Sequence, residues 1–252
     1  DWYVSFNTWT PHAVSSEAFL WQERVWRIVE AQHVASTMKL VDDVDEQHAL
    51  EVLLESSKPM MRPGTSNLDY LLATPFRYHP KRGGSRFRSE IDPGVFYGAE
   101  SIRTAGAELG YWRWRFLRDS VDLDYLGPVA HTVFCSEPSC RVVDLRRPPF
   151  DQDAIVWTTS DRYLETQEIA RVVRKTDVQA IIYESVRDEN PAWCVAILNP
   201  AVFKGIKPKI DERAWFLSVS QAGAMLKCQG EAYTFLASTW IEGKGVNVKT
   251  IR

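Results

Sequence analysis

Apolar positions recur with different periods along the chain, and the period separates helix from strand. Residues 23–31, ERVWRIVEA, form an apolar run too short to type as strand or helix. The stretch VDEQHALEVLLESS, residues 44–57, places Val44, Gln47, Leu50, Val52, Leu53 and Leu54 around a helix, with acids in its first turn where the helix dipole favours them. Lys58-Pro59 ends it, and Pro63-Gly64-Thr65-Ser66-Asn67 is the strongest linker signal in the chain. Leu68 to Ala73 reads as a short element, and Gly94 to Ala99, GVFYGA, as a buried strand. Ser101 then opens a helix. At ~100° per residue, Ile102, Ala105, Leu109, Trp112 and Phe116 fall within an arc of about 80°, with Glu108 on the shoulder of that stripe. An acid there faces a cleft without being buried outright.

The second half is β-rich. His131 to Ser136, Cys140 to Leu145, Val178 to Tyr183 and Cys194 to Leu198 have strand composition, and Tyr163 to Lys175 has helical spacing. Glu184 to Asp188 is a polar strand end and turn, and alternation sets Glu184 on the face opposite Ser185. Short strands and Gly-rich turns follow from about Lys204. The pattern predicts an α+β protein with a mixed β core and flanking helices. Residues 1–66 are expected to form a partly helical N-terminal subdomain, 67–240 the main α+β domain and 241–252 a tail. The apolar face of the 44–57 helix should pack on that domain or on a second subunit, so a homodimer is one arrangement the sequence allows.

Composition narrows the function. The 252 residues carry a net charge of −3, which argues against nucleic-acid binding, since such proteins usually present a basic surface. Cys135, Cys140, Cys194 and Cys228 form no CxxC pair, so no metal is expected and the thiols read as free. With no run approaching the ~18 apolar residues of a membrane span and no leader-like segment, a cytoplasmic, non-membrane protein is expected.

Against that mildly acidic background, residues 74–88, TPFRYHPKRGGSRFR, gather five cations: Arg77, Lys81, Arg82, Arg86 and Arg88. Phe76, Tyr78 and Phe87 are interleaved, and Gly83-Gly84 permits a tight backbone turn. Cations, an aromatic strand residue at Tyr97 and the lone carboxylate of Glu108 point to an anionic ligand with chemistry beside it. On residues alone, solvated arginines, a core Tyr97 and a Glu108 paired with Arg115 or Tyr111 remain open readings.

TPFRYHPKRGGSRFR, GVFYGA, the Ala107-Glu108 helix and IIYESVRD, in this order, resemble the RES domain family, named for an Arg, a Glu and a Ser. Residues 30–59 resemble the leader of one RES subgroup. The family includes bacterial toxins of toxin–antitoxin systems that consume NAD. The resemblance implies an ADP-ribosyltransferase-like fold and cleavage of the nicotinamide–ribose bond by phosphorolysis or hydrolysis. A mono-ADP-ribosyltransferase acting on protein, or a non-catalytic RES-like binding module, are the alternatives. It implies NAD as substrate with no resident cofactor, inorganic phosphate as an optional co-substrate, and a cognate helix-turn-helix antitoxin as partner. Carried over, Arg86, Glu108 and Ser185 are the catalytic residues, and Arg77, Tyr78, Arg86, Arg88 and Tyr97 bind NAD.

Those residue types suit that chemistry. Guanidinium groups match a pyrophosphate with paired, permanent donors, and a Tyr face attracts the cationic nicotinamide ring. A fixed carboxylate stabilises the oxocarbenium-like ribose left when nicotinamide departs. Ser185 is expected to orient Glu108 or the ribose, not to act as nucleophile. Two positions depart from the family pattern. Arg88 stands where a small residue is usual, and Glu184 where Pro is common.

Overall fold

Runs of β-branched and aromatic residues across the chain assemble into one large sheet. The computed structural model describes residues 9–31, 43–78 and 84–242. Helices α1 (Pro11–Ser16), α2 (Val44–Ser57), α3 (Tyr70–Arg77), α4 (Ile102–Arg118), α5 (Ala154–Trp157), α6 (Leu164–Val173) and α7 (Ala237–Glu242) flank it. Its strands are β1 (Phe19–Gln22), β2 (Val25–Glu30), β3 (Phe96–Ala99), β4 (Tyr125–Ser136), β5 (Ser139–Asp144) and β6 (Ala180–Glu184). They continue with β7 (Trp193–Ile197), β8 (Lys209–Ile210), β9 (Trp215–Ser220), β10 (Gly223–Cys228) and β11 (Glu231–Leu236). The order is β1-β5-β6-β7-β3-β2-β4-β9-β10-β11, with β8 paired to β4. β5 and β6 run parallel, and β6–β7, β7–β3, β3–β2 and β2–β4 antiparallel. The α+β class and mixed β core with flanking helices expected from the sequence are therefore present.

Strand alternation feeds two cores. On one face Ile181, Tyr183, Ala196 and Val143 pack with α4 and α6; on the other Ile182, Val195, Ile197 and Phe96 pack with α3 and Phe203. The undecided segment 23–31 forms β2, in the middle of this sheet between β3 and β4. Residues 19–30 therefore belong to the same large sheet, and a boundary near residue 66 does not set them apart. Their apolar side chains are completed only by strands more than sixty residues later, a non-local pairing that no local pattern announces. α2 has the expected span, but Val44, Val52, Leu53 and Leu54 on it are exposed. Of the tail expected over 241–252, residues 241 and 242 end α7, and 243–252 lie outside the described residues.

α4 corrects one expectation. Its buried side is Thr104, Ala105, Ala107, Tyr111, Trp114 and Leu117, together with Gly106 and Gly110, so of the expected stripe Ala105 is buried. A Cβ on Gly106 would stand 2.9 Å from Leu226 Cδ2, and one on Gly110 3.0 Å from Ala224 Cβ. The helix thus approaches β10 and β11 through its smallest residues, which a count of large apolar side chains overlooks. Trp112 and Phe116, expected in the core, are exposed, and Leu109 and Trp112 instead border a cleft.

Candidate active site

The cleft, about 240 Å³, opens between α4 and the central strands, and Glu108 lies on its wall. Ser101 caps α4, accepting from Thr104 N, which fixes the helix start and hence the azimuth of Glu108 seven residues on. Glu108 Oε1 accepts a 2.7 Å hydrogen bond from Ser185 Oγ and lies 3.8 Å from Cys194 Sγ. Arg115 pairs instead with Asp119, so the helix-flank pairing with Glu108 is not formed. Ser185 is fully buried just past β6, and its Oγ also accepts from Arg187 N (3.3 Å) and Asp188 N (3.2 Å). Two amide donors polarise the hydroxyl, whose own proton is aimed at the carboxylate. Ser185 thus meets Glu108, one of the two hydrogen-bond partners expected for it. Burial, and then Glu108 itself, push the Cys194 thiol well up, so it stays neutral beside the carboxylate.

Arg86 is carried on a tight turn. Ser85 and Arg88 form a two-way backbone bridge, and Gln167 Nε2 clamps the carbonyls of both at 3.0 and 3.2 Å. Gly84 precedes the turn at φ +70°, where a Cβ would meet Arg88 O at 2.4 Å; only glycine fits. Phe87 is buried edge-on against Tyr183. The Arg86 guanidinium donates to Trp157 O and Thr159 O at 2.8 and 2.9 Å and lies 5.0 Å from the Tyr163 ring centroid. Tyr97 Oη bonds Ser85 Oγ at 2.8 Å and accepts from Phe87 N at 3.0 Å. Burial raises its pKa, so the phenol stays neutral. Tyr97 therefore braces the arginine turn and also lines the cleft.

Two cleft arginines escaped the sequence reading. Arg27 on β2 donates to Tyr97 O at 2.5 Å, its guanidinium lies 4.9 Å from the Phe96 ring centroid, and its Nε is buried without a hydrogen-bond partner among the described residues. Burial lowers its pKa to about 10, against upward pulls from Tyr97 and Tyr183. Arg187 lies 3.4 Å from the Tyr111 ring centroid and donates to Ser160 O and to Tyr163 Oη. Trp240 on α7 donates to Arg187 O at 2.9 Å. Among the described residues neither these two nor Arg86 has a carboxylate within 4.0 Å. The available signals were an arginine inside an apolar strand, and a second cation two residues past Ser185. Trp26, Trp112 and Tyr163 supply ring surface to the same cleft.

The remaining expected residues lie elsewhere. Arg77 ends α3 and donates to Pro59 O at 2.5 Å, outside the cleft lining, because the chain there is helical and turns its side chain to the preceding loop. Tyr78 and Arg88 line a neighbouring cavity, which shares Arg27, Ser85 and Tyr97 with the cleft. Lys81, Arg82 and Gly83 lie outside the described residues. Glu184 does not line the cleft; it acts on Arg146 together with Asp144 and Glu100, on the other side of the strand from Ser185.

No individual curated protein matches the chain. Among solved structures, the M. tuberculosis MbcT–MbcA toxin–antitoxin complex is similar at 11% identity and a TM-score of 0.44, over 90% of this chain and 91% of that one. The family model of the RES domain matches residues 60–217, a span that contains Arg86, Glu108 and Ser185. On that match, the chain belongs to the RES domain family.

Proposed function

We propose that this protein is a toxin that breaks the nicotinamide–ribose bond of NAD. The observation that carries the reading is Glu108, held by the buried Ser185 in an aromatic cleft that also holds three arginines with no carboxylate partner among the described residues. Un-neutralised guanidinium groups are costly to bury unless an anion completes them, and the NAD pyrophosphate is such an anion. Arg27, Arg86 and Arg187 hold it, while Trp26, Trp112 and Tyr163 supply ring faces for the cationic nicotinamide.

As the C1′–N1 bond breaks, its electron pair leaves with nicotinamide and positive charge develops on the ribose. Glu108 meets that charge with a carboxylate already fixed in place, so little reorganisation is needed. Its second oxygen is left to the ribose hydroxyls, because Ser185 occupies Oε1. An oxygen of phosphate, or of water as it gives up a proton to solvent, then forms the new bond at C1′. Glu184, turned away from the cleft, does not repel an incoming phosphate, which favours phosphorolysis. Family membership supports a cognate antitoxin as partner, covering this cleft.

Incubating the purified chain with NAD, with and without phosphate, and identifying the products tests the reading. Nicotinamide should appear, and phosphate should accelerate NAD loss and yield phosphorylated ADP-ribose. NAD left intact for hours at micromolar protein in both arms would remove the enzymatic reading. ADP-ribose transferred to protein would redirect it.

A further inference from the structure

Two apolar surfaces of the protomer stand uncovered, and they do not meet. The first is α2, which leaves Val44, Val52, Leu53 and Leu54 exposed. At ~100° per residue the last three spread over about 200° of the helix, so a hollow covers them better than a flat neighbour does. A helix of 14 residues is marginal alone in water and draws its stability from packing. The second surface is the outer face of β9, β10 and β11. Strand alternation turns Leu217, Leu226 and Phe235 inward. The helices packed on these strands, α4 and α7, both lie on that inner side, where Trp240 meets Tyr111 and Trp114. Outward stand Phe216, Met225 and Leu236, all exposed, beside the shorter Ser218, Ala232 and Thr234. Two hollows open there, one of about 290 Å³ beside Tyr125, Met225 and Leu236, the other of about 840 Å³ beside Pro128, Phe216 and Lys227. Lys227 is the one charged side chain that these three strands turn outward. Glu212 stands at the rim, and the nearby Arg213 is taken by Asp211 and Glu231.

We infer that the outer face of β9–β11 receives α2 of a second copy of this chain, and that the exchange is mutual, giving a two-fold dimer. Charge selects this pairing over α2 against α2. Residues 43–57 hold Asp43, Asp45, Glu46, Glu51 and Glu55 and no Lys or Arg, so two such helices side by side repel. On the outer face the same charge meets Lys227. Shape selects it over face against face, because two hollows laid together leave a void whose lining loses its contacts. Size requires the exchange to be mutual. One helix about 21 Å long and about 10 Å wide covers only about 200 Å². Both contacts together bring about 400 Å² per partner, the weak end of specific interfaces, where about 800 Å² per partner is standard. The dimer therefore forms at micromolar concentration and above. Neither surface borders the cleft, so assembly leaves Glu108 open.

A cross-link between two differently marked copies of the full chain tests this. Cys135, Cys140, Cys194 and Cys228 are buried, so a thiol-directed linker meets the introduced thiol first. Copies carrying Leu53→Cys are mixed with copies carrying Met225→Cys at high micromolar concentration and treated with a short bismaleimide. The control mixes Leu53→Cys with Ile155→Cys, an exposed position on α5 outside both surfaces. A contact that holds the pair raises its effective concentration, so the first mixture should yield at least about 10-fold more linked dimer than the control. Either marked copy alone should stay at the control level. Adding Phe216→Asp to the Met225→Cys copy places a charge in the contact and should lower the yield by about 10-fold. In sedimentation, wild type should move from monomer toward dimer across the micromolar range. Four results each overturn the inference: a mixed yield no higher than the control, equal linking by one marked copy alone, a yield untouched by Phe216→Asp, or a wild type that stays monomeric at high micromolar concentration. NAD turnover plays no part in these readouts, so the assembly and the reaction stand or fall separately.

Discussion

Two short turns carry the site, and they are fixed by different forces. The turn at Ser85–Arg88 is held by neutral groups: Gln167 on both carbonyls, Thr166 on Arg86 O and Tyr97 Oη on Ser85 and Phe87. The turn at Ser185–Asp188 is held by charge. Asp188 takes Thr104 Oγ1 at 3.0 Å and Arg103 Nε at 3.2 Å, while Trp240 holds Arg187 O. Each turn presents one arginine to the cleft, but only the second also presents the hydroxyl that sets Glu108. A turn that delivers only a cation tolerates neutral bracing. One that must aim a hydrogen bond at a carboxylate on the cleft wall is tied from the helix bearing that carboxylate, since Thr104 lies one turn before Glu108.

Ser185→Ala should break the comparison most sharply. It removes the donor to Glu108 and the acceptor for two amides, so kcat for NAD should fall about 10- to 100-fold with KM little changed; steady-state kinetics read both. Next, Gly84→Ala forces a residue into φ +70° against Arg88 O, which should cost about 1–3 kcal/mol in denaturant unfolding and weaken NAD binding along with it. Trp240→Phe keeps the ring but drops the donor to Arg187 O. We expect NAD affinity to weaken by about 5-fold, with kcat for bound NAD preserved and the melting temperature lowered by only a few degrees.

The smallest effect concerns the ion pair behind the first turn. Burial pushes the Asp92 carboxyl up, but hydrogen bonds from Arg171 and from Ser89 outweigh it and leave the group at about 2. A depressed carboxylate stabilises above its unfolded pKa of about 3.9 and loses that contribution as pH falls through its folded value. Between about pH 4 and 2, wild type should therefore lose stability that Asp92→Asn never had. Chemical denaturation of both across that range should show the two curves converging on the acid side.

The order of elements was largely legible because most are local. Ser101 announces α4, Lys58-Pro59 ends α2, and the apolar runs at 180–184 and 193–197 are long enough to be strands. Glu108 and Ser185 were singled out through their motifs, and the structure brings them within hydrogen-bond distance of each other. What escaped depends on chain-distant pairing. Arg27 enters the cleft because β2 inserts between β3 and β4, and Trp240 because α7 returns to the Arg187 turn. Arg77, close in sequence to Arg86, is carried away by α3. The packed side of α4 was misread because glycines, which add no hydrophobic signal, govern how near a helix can lie to a sheet.

The central claim is a division of labour between Glu108, which meets charge developing in the transition state, and the arginines, which hold the ground-state pyrophosphate. Measuring NAD dissociation constants and single-turnover nicotinamide release side by side for Glu108→Gln and Arg86→Ala tests it most directly. The account predicts that Glu108→Gln binds NAD within about 3-fold of wild type and releases nicotinamide at least about 10²-fold more slowly. Arg86→Ala should lose affinity and keep most of its rate once saturated. Full release by Glu108→Gln, or an equal loss of affinity in both variants with the rate from bound NAD untouched, would contradict it.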